Sequence, residues 1–251
     1  MLTTYFQKIQ ERLQLVIKNE AEVMEQVAAK ISESIQKGGI IHLFGCGHSH
    51  ILTEEVFYRA GGLAPIKPIF IEPLMLHEGA VRSSQLERQN DYAISFMEKQ
   101  DIQRHDVVIV ISTSGINPVP VDVAILAKEK RAFVVGICSF DYKKNQSSRH
   151  KGGKFLADVV DLALNNFSIK GDAVLTYEKI GVPFAPTSTV IGAAMLNGIF
   201  ADSIKKMVDE GFEPPIFLSG NIAGADEHNK ALIQKYSKRI ELLTVGMNSE
   251  A

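Results

Sequence analysis

With 251 residues, 45% of them hydrophobic and 22% charged, the chain has the make-up of an ordinary globular protein, with room for one substantial core or two small ones. A formal net charge of −2 gives no electrostatic footprint for nucleic acid, and two cysteines are too few for a disulfide scaffold. The longest strongly apolar runs, such as Val107 to Ile111, fall far short of the roughly 18 residues a membrane helix requires, and Met1 to Leu15 lacks the continuous apolar core of a signal peptide, so a cytoplasmic protein without membrane contact is expected.

In chain order, Leu2, Phe6, Ile9, Leu13, Val16, Ile17, Met24, Val27, Ile31 and Ile35 recur at helical spacing. They predict one long amphipathic helix, or two broken at Asn19, stopped by Gly38 and Gly39 because glycine readily takes the left-handed conformation that ends helices. Short apolar runs follow at Ile40 to Phe44, Ile66 to Ile71, Val107 to Ile111, Phe133 to Ile137 and Val159 to Leu164. Continuous rather than alternating apolar runs indicate strands covered on both faces, and helix-like segments between most of them point to a parallel sheet. Glu72 to Asp106 is a long insertion containing the helix-like Asp91 to Lys99. Asp141 to Lys154, with Lys143, Lys144, Arg149, His150 and Lys151, reads as a solvated loop without a role. Ser188 to Glu210 and Ala225 to Leu243 read as helices, parted at Gly211 to Pro215 by two prolines. The expected organisation is a helical segment over 1–37, a main domain over 38–215 and a C-terminal helix over 216–251 that completes the same domain.

Three turns carry hydroxyls. The first strand runs into Gly45-Cys46-Gly47-His48-Ser49 ahead of a helical pattern over Ile51 to Ala60, where glycines let the backbone approach a ligand and a helix start attracts an anion. The third strand ends in Ser112-Thr113-Ser114-Gly115-Ile116-Asn117-Pro118. One hydroxyl would serve as a helix cap; three supply several neutral donors around one point. Thr187 and Ser188 precede the apolar helix from Val190 to Phe200, as ligand donors or as a simple cap. In a doubly wound sheet the first and third turns meet outside the carboxyl ends of the strands. Hydrogen bonds to a charged group contribute roughly 1.5 to 3 kcal/mol each, so three or four would hold a phosphate without lysine. No P-loop lysine and magnesium hydroxyl are present, and a sugar monophosphate suits the cradle better than a nucleoside triphosphate.

On Phe44 to Ser49 and Ile111 to Pro118 the chain resembles the sugar-isomerase (SIS) family, over about Ile31 to Pro214. It is similar to a bacterial branch related to phosphoheptose isomerases and N-acetylmuramic acid 6-phosphate etherases. The resemblance implies an α/β fold, a flavodoxin-like doubly wound five-stranded parallel sheet with the long N-terminal helical segment, and a homodimer or homotetramer. It assigns phosphate binding to Ser49, Ser112, Thr113, Ser114 and Asn117, with Gly47, Thr187 and Ser188 as further candidates, and no cofactor is expected. The chain departs from the pattern at Arg59, where both relatives carry a glutamate, and at Leu52, where the isomerases carry an aspartate.

Chemistry on a sugar phosphate needs a base that the hydroxyl cradle lacks. Glu78, in the loop beyond the second strand, is the first candidate, with His77 or His228 as partner; Glu87, loosely matching an acidic position of the etherases, is the second. His48 and His50 have no companion cluster at zinc-ligand spacing, so no metal is expected. The function expected is an isomerase or lyase acting on a sugar phosphate or amino-sugar phosphate. A non-catalytic phosphosugar sensor is the alternative, and a dinucleotide-dependent oxidoreductase is a weaker one because His50 stands where the third fingerprint glycine belongs.

Overall fold

A computed structural model describes residues 1–246 of the chain. Its elements are α1 (Leu2–Gln36), β1 (Ile41–Gly45), α2 (Ser49–Glu55), β2 (Ile66–Pro68), α3 (Ala80–Leu86), α4 (Ile94–Met97), β3 (Val107–Ile111) and α5 (Pro118–Glu129). There follow β4 (Phe133–Cys138), α6 (Phe140–Asn145), α7 (Leu156–Val159), β5 (Leu162–Asn165), β6 (Leu175–Tyr177), β7 (Ile180–Phe184), α8 (Ser188–Asp209) and α9 (Ala225–Tyr236). The first helix is unbroken. Asn19 turns its side-chain amide back onto the Leu15 carbonyl at 2.7 Å, a bond that keeps it inside the helix.

Strands pair in the order β2-β1-β3-β4-β5, all parallel, which is the doubly wound order. Period-two alternation divides each strand between two covering layers. From β3, Val107, Ile109 and Ile111 enter the core beneath α1, α2 and α8, while Val108 and Val110 enter the one beneath α4, α5 and α7. Helix α1 meets α8 through Val27, Ala28 and Ile31 against Ile191, Met195 and Ile199, all fully buried; each of the Val, Ile and Met side chains contributes roughly 1.5–3 kcal/mol. At the edge of the sheet Glu20 of α1 accepts the Asn165 amide at 3.2 Å, covering one end of β5.

Several boundaries differ from the sequence pattern. Helix α2 ends at Glu55, five residues early, and α9 ends at Tyr236, giving way to a single 3-10 turn at Glu241–Leu243. Antiparallel β6 and β7 form a hairpin that the sequence pattern did not reveal, because its residues are mostly exposed and lack a buried alternation. The stretch 141–154 is not a free loop: it begins in α6 and is pinned at His150, which is buried against Asp122 at 3.0 Å. Of the expected segment 216–251, residues 247–251 lie outside the described residues. No helix among the described residues is long and apolar enough to cross a membrane.

A buried polar knot ties the C-terminal segment to the amino ends of the strands. Asp106 accepts Arg239 Nη1 at 3.0 Å and Nη2 at 2.7 Å, the Ile40 amide at 2.8 Å and the Gln103 amide at 2.7 Å, and pairs with His42 Nε2 at 3.1 Å. Lys67 donates to the Arg239 carbonyl at 2.8 Å. Burial opposes the charge on Asp106, but the bonds from His42, Arg239, Ile40 and Gln103 outweigh it and hold the carboxyl well below its ordinary range. Burial likewise depresses the His42 imidazole despite its Asp106 partner. Both depressions have one sign: the unfolded chain takes up protons that the fold refuses, His42 from about pH 6.5 downward and Asp106 from about pH 4 downward, so stability falls with falling pH. Arg239→Ala strips Asp106 of its bidentate partner. It is expected to cost about 3 kcal/mol in urea unfolding at pH 7, the usual scale for half of a buried pair; an unchanged midpoint would contradict this role.

Candidate functional site

The register sets Gly45 of β1 directly beside Ile111 of β3, so the turns that leave these strands are neighbours at the carboxyl edge of the sheet. From there α2 departs to one face and α5 to the other, which opens a crevice between them. Gly45 must be glycine because a Cβ there would lie 2.6 Å from the Ser49 backbone, and Gly47 takes the left-handed conformation at φ +55°.

The insertion between β2 and β3 is tied to this edge by hydrogen bonds. The Leu74 carbonyl accepts the Gly47 amide at 3.0 Å and the Ser83 hydroxyl at 2.7 Å, joining the β1 turn to α3. Glu87 follows α3, and its carbonyl accepts the Val119 amide of α5 at 3.2 Å. The Glu87 carboxyl is hydrogen-bonded by Asn117 and lies close enough to Cys46 to help raise its pKa. Burial raises the Glu87 pKa, opposed by the Asn117 bond and the charges of Arg88 and Arg149. Glu87 therefore stands between the β1 and β3 turns.

The other candidates fall into three groups. Ser112 is buried, its hydroxyl accepting the Gly115 amide at 3.3 Å, whereas no hydrogen bond among the described residues engages the hydroxyls of Ser49, Thr113 or Ser114, all of them half-buried. Leu52 packs on Gly192 of α8, one turn beyond Ser49 and Ser188 on their helices, so α2 and α8 begin at the same edge. Thr187 and Ser188, however, already hold an anion of the chain itself: the Asp172 carboxylate accepts both amides, at 3.0 and 3.1 Å, and the Ser188 hydroxyl at 2.6 Å. His77 and Glu78 sit on an exposed 3-10 turn outside the β1 turn, with the His77 ring 6.3 Å from that of His50. His228 lies elsewhere, its Nε2 2.8 Å from the Ile216 carbonyl, beside a cavity of about 680 Å³ between α9 and the loop after α2.

A model of the SIS domain matches residues 4–139, which hold both turns and Glu87. The chain belongs to the SIS-domain family. Among its relatives, a UPF0309 protein of Halalkalibacterium halodurans is 67% identical over 245 residues, spanning 98% of each chain, and one of Caldanaerobacter subterraneus is 44% identical over 97% of this chain and all of its own. The solved structure of a phosphoheptose isomerase from Francisella tularensis shares the SIS fold at a TM-score of 0.52 and 12% identity, over 81% of this chain and 96% of that one.

Sequence reasoning missed Asp172, fifteen residues from Thr187 along the chain, and Arg149, whose Nη1 donates to Asn117 Oδ1 at 2.8 Å. Among the described residues no three His, Cys, Asp or Glu side chains are placed to hold a metal ion.

Because burial and Asn117 act on Glu87 in opposite directions, Asn117→Ala is expected to raise its pKa further above the ordinary glutamate range of about 4.3. Infrared titration of the carboxyl band in wild type and variant, with Glu87→Gln to assign it, checks this. A fall in the variant would contradict the geometry.

Proposed function

We propose that the chain binds a phosphorylated sugar in the crevice between the β1 and β3 turns and acts on it as an isomerase or lyase, with Glu87 as the proton-transferring group. The observation that carries this reading is the meeting, at one strand edge, of unengaged hydroxyls with a carboxyl whose pKa burial has raised. Ser112, Thr113 and Ser114, with Ser49 across the crevice, receive the phosphate, and the sugar extends toward Glu87. A carboxyl with a raised pKa is a stronger base when ionised and holds a proton closer to neutral pH, the property that removal and return of a proton at carbon requires. Glu87 is preferred over Glu78 because Glu78 is exposed and paired only loosely with His77, at 3.8 Å. The phosphosugar is also preferred over a dinucleotide: at the third fingerprint position the His50 side chain is buried, with Nδ1 2.6 Å from the Gly47 carbonyl, where the close helix–strand packing of a dinucleotide fold requires glycine.

A second copy of the chain belongs to the same proposal. Leu2, Phe6 and Ile17 of α1 are exposed, and a cavity of about 360 Å³ between α1 and α8 is lined by Leu13, Ile17, Met24 and Gly198. A homodimer or homotetramer would cover these side chains. Light scattering at micromolar concentration is expected to give a multiple of the 27.6 kDa chain mass, and Ile17→Glu to shift it toward monomer; a wild-type monomer would overturn this part.

Calorimetry with glucosamine 6-phosphate tests the cradle. Ser112→Ala combined with Ser114→Ala is expected to weaken binding by roughly 10- to 1,000-fold, and unchanged affinity in a folded double variant would remove the cradle. Once a turned-over sugar phosphate is found, Glu87→Gln is expected to keep binding while lowering kcat by about 100-fold or more; full activity would move the role to Glu78.

A further inference from the structure

Anion sites in doubly wound folds usually draw on the free amides at helix starts. Around this crevice those amides are spent. In the first turn of α5, Pro118 and Pro120 have no N–H, and the Val119 amide is bound to the Glu87 carbonyl at 3.2 Å. At the β1 turn, the amides of Gly47, Ser49 and His50 go to the carbonyls of Leu74, Cys46 and Gly47. At α8 the amides of Thr187 and Ser188 go to Asp172. Neutral donors remain, the hydroxyls together with the Thr113 and Ser114 amides of the β3 turn, which no hydrogen bond engages among the described residues, and a dianionic phosphate needs charge as well to replace its hydration.

One cation is held at the same place. The loop after α6 runs beside the β3 turn, where the Arg149 amide donates to the Ile116 carbonyl at 2.9 Å and Nη1 donates to Asn117 Oδ1 at 2.8 Å. The following residue anchors the loop: buried His150 meets Asp122 Oδ1 through Nε2 at 3.0 Å, and its Nδ1 accepts the Gly152 amide at 3.1 Å, which fixes the ring. Lys151 then pairs with Asp91. Arg149 is different: it is exposed, and among the described residues no carboxylate forms a salt bridge with it and Asn117 is its one side-chain partner. A guanidinium offers five N–H donors in a fixed fork, and most of these are uncommitted.

We propose that Arg149 is the cation of this anion site, its free guanidinium edge taking phosphate oxygens that the serine hydroxyls and the spent helix amides leave uncovered. The inference rests on the phosphosugar reading of the crevice. Asn117 orients the fork, and the His150–Asp122 pair fixes the backbone that carries it. The stretch 147–154 is thereby a ligand-binding loop.

Calorimetric titration with inorganic phosphate and with glucosamine 6-phosphate, each at low and high salt, tests it. Arg149→Ala and Arg149→Gln, the second keeping a neutral donor for Asn117, are expected to bind both ligands roughly 10- to 100-fold more weakly and with a flatter salt dependence. Arg149→Lys should recover part of the loss, and Lys144→Ala, an exposed cation of the same stretch, should bind as wild type. Melting temperatures near the wild-type value exclude unfolding as the cause. Wild-type affinity in both Arg149→Ala and Arg149→Gln, alongside weak binding in the Ser112→Ala, Ser114→Ala variant, would overturn the inference and leave the cradle standing. Absence of binding to either ligand in wild type would overturn the crevice reading, and this inference with it.

Discussion

The pairing of β1 with β3 governs the rest of the molecule. Setting Gly45 beside Ile111 brings together two turns that are more than 60 residues apart in sequence and sends the chain to opposite faces on either side of them. The insertion that follows β2 must then be accommodated at the same edge. The insertion over 72–106 does so by hydrogen bonds rather than by apolar packing alone: Leu74 accepts from Gly47 and Ser83, and Glu87 accepts from Val119. A carboxyl is placed in the crevice as a consequence of how the insertion is stitched shut.

The two ends of the sheet treat their polar groups in contrary ways. At the amino ends, Asp106 is saturated by five donors including His42 and both nitrogens of the Arg239 fork, and the C-terminal segment is locked down by the same bonds. Such a knot is costly to desolvate and more costly to break, which makes it a fastener. At the carboxyl ends, hydroxyls of Ser49, Thr113 and Ser114 and most of the Arg149 fork are uncommitted among the described residues, and Glu87 carries a raised pKa. Unspent donors next to a perturbed acid are what a binding edge has and a structural edge lacks.

Local signals in the sequence carried the sheet and both turns. Strands such as Val107–Ile111 are continuous apolar runs, and the glycine and hydroxyl spacing around Gly45 and Ser112 has a local physical cause. What escaped depends on distance along the chain. Nothing near Glu78 or Glu87 says which is half-buried and which exposed; that follows from α3 docking under Leu74. The basic stretch around Arg149 looks like solvated charge until His150 is found buried against Asp122, 28 residues away. Thr187 and Ser188 look like free donors until Asp172 reaches them from across the β6–β7 hairpin. The hairpin itself has no buried face to leave a period-two pattern.

A crystal structure of the protein soaked with glucosamine 6-phosphate tests the crevice most directly. Phosphate density within hydrogen-bond reach of Ser112 and Ser114, with the sugar extending toward Glu87, is the expected result. Ordered ligand elsewhere, either in the cavity beside Phe217 and Lys230 or on Thr187 and Ser188 with Asp172 displaced, while the β1–β3 crevice stays empty, would contradict it.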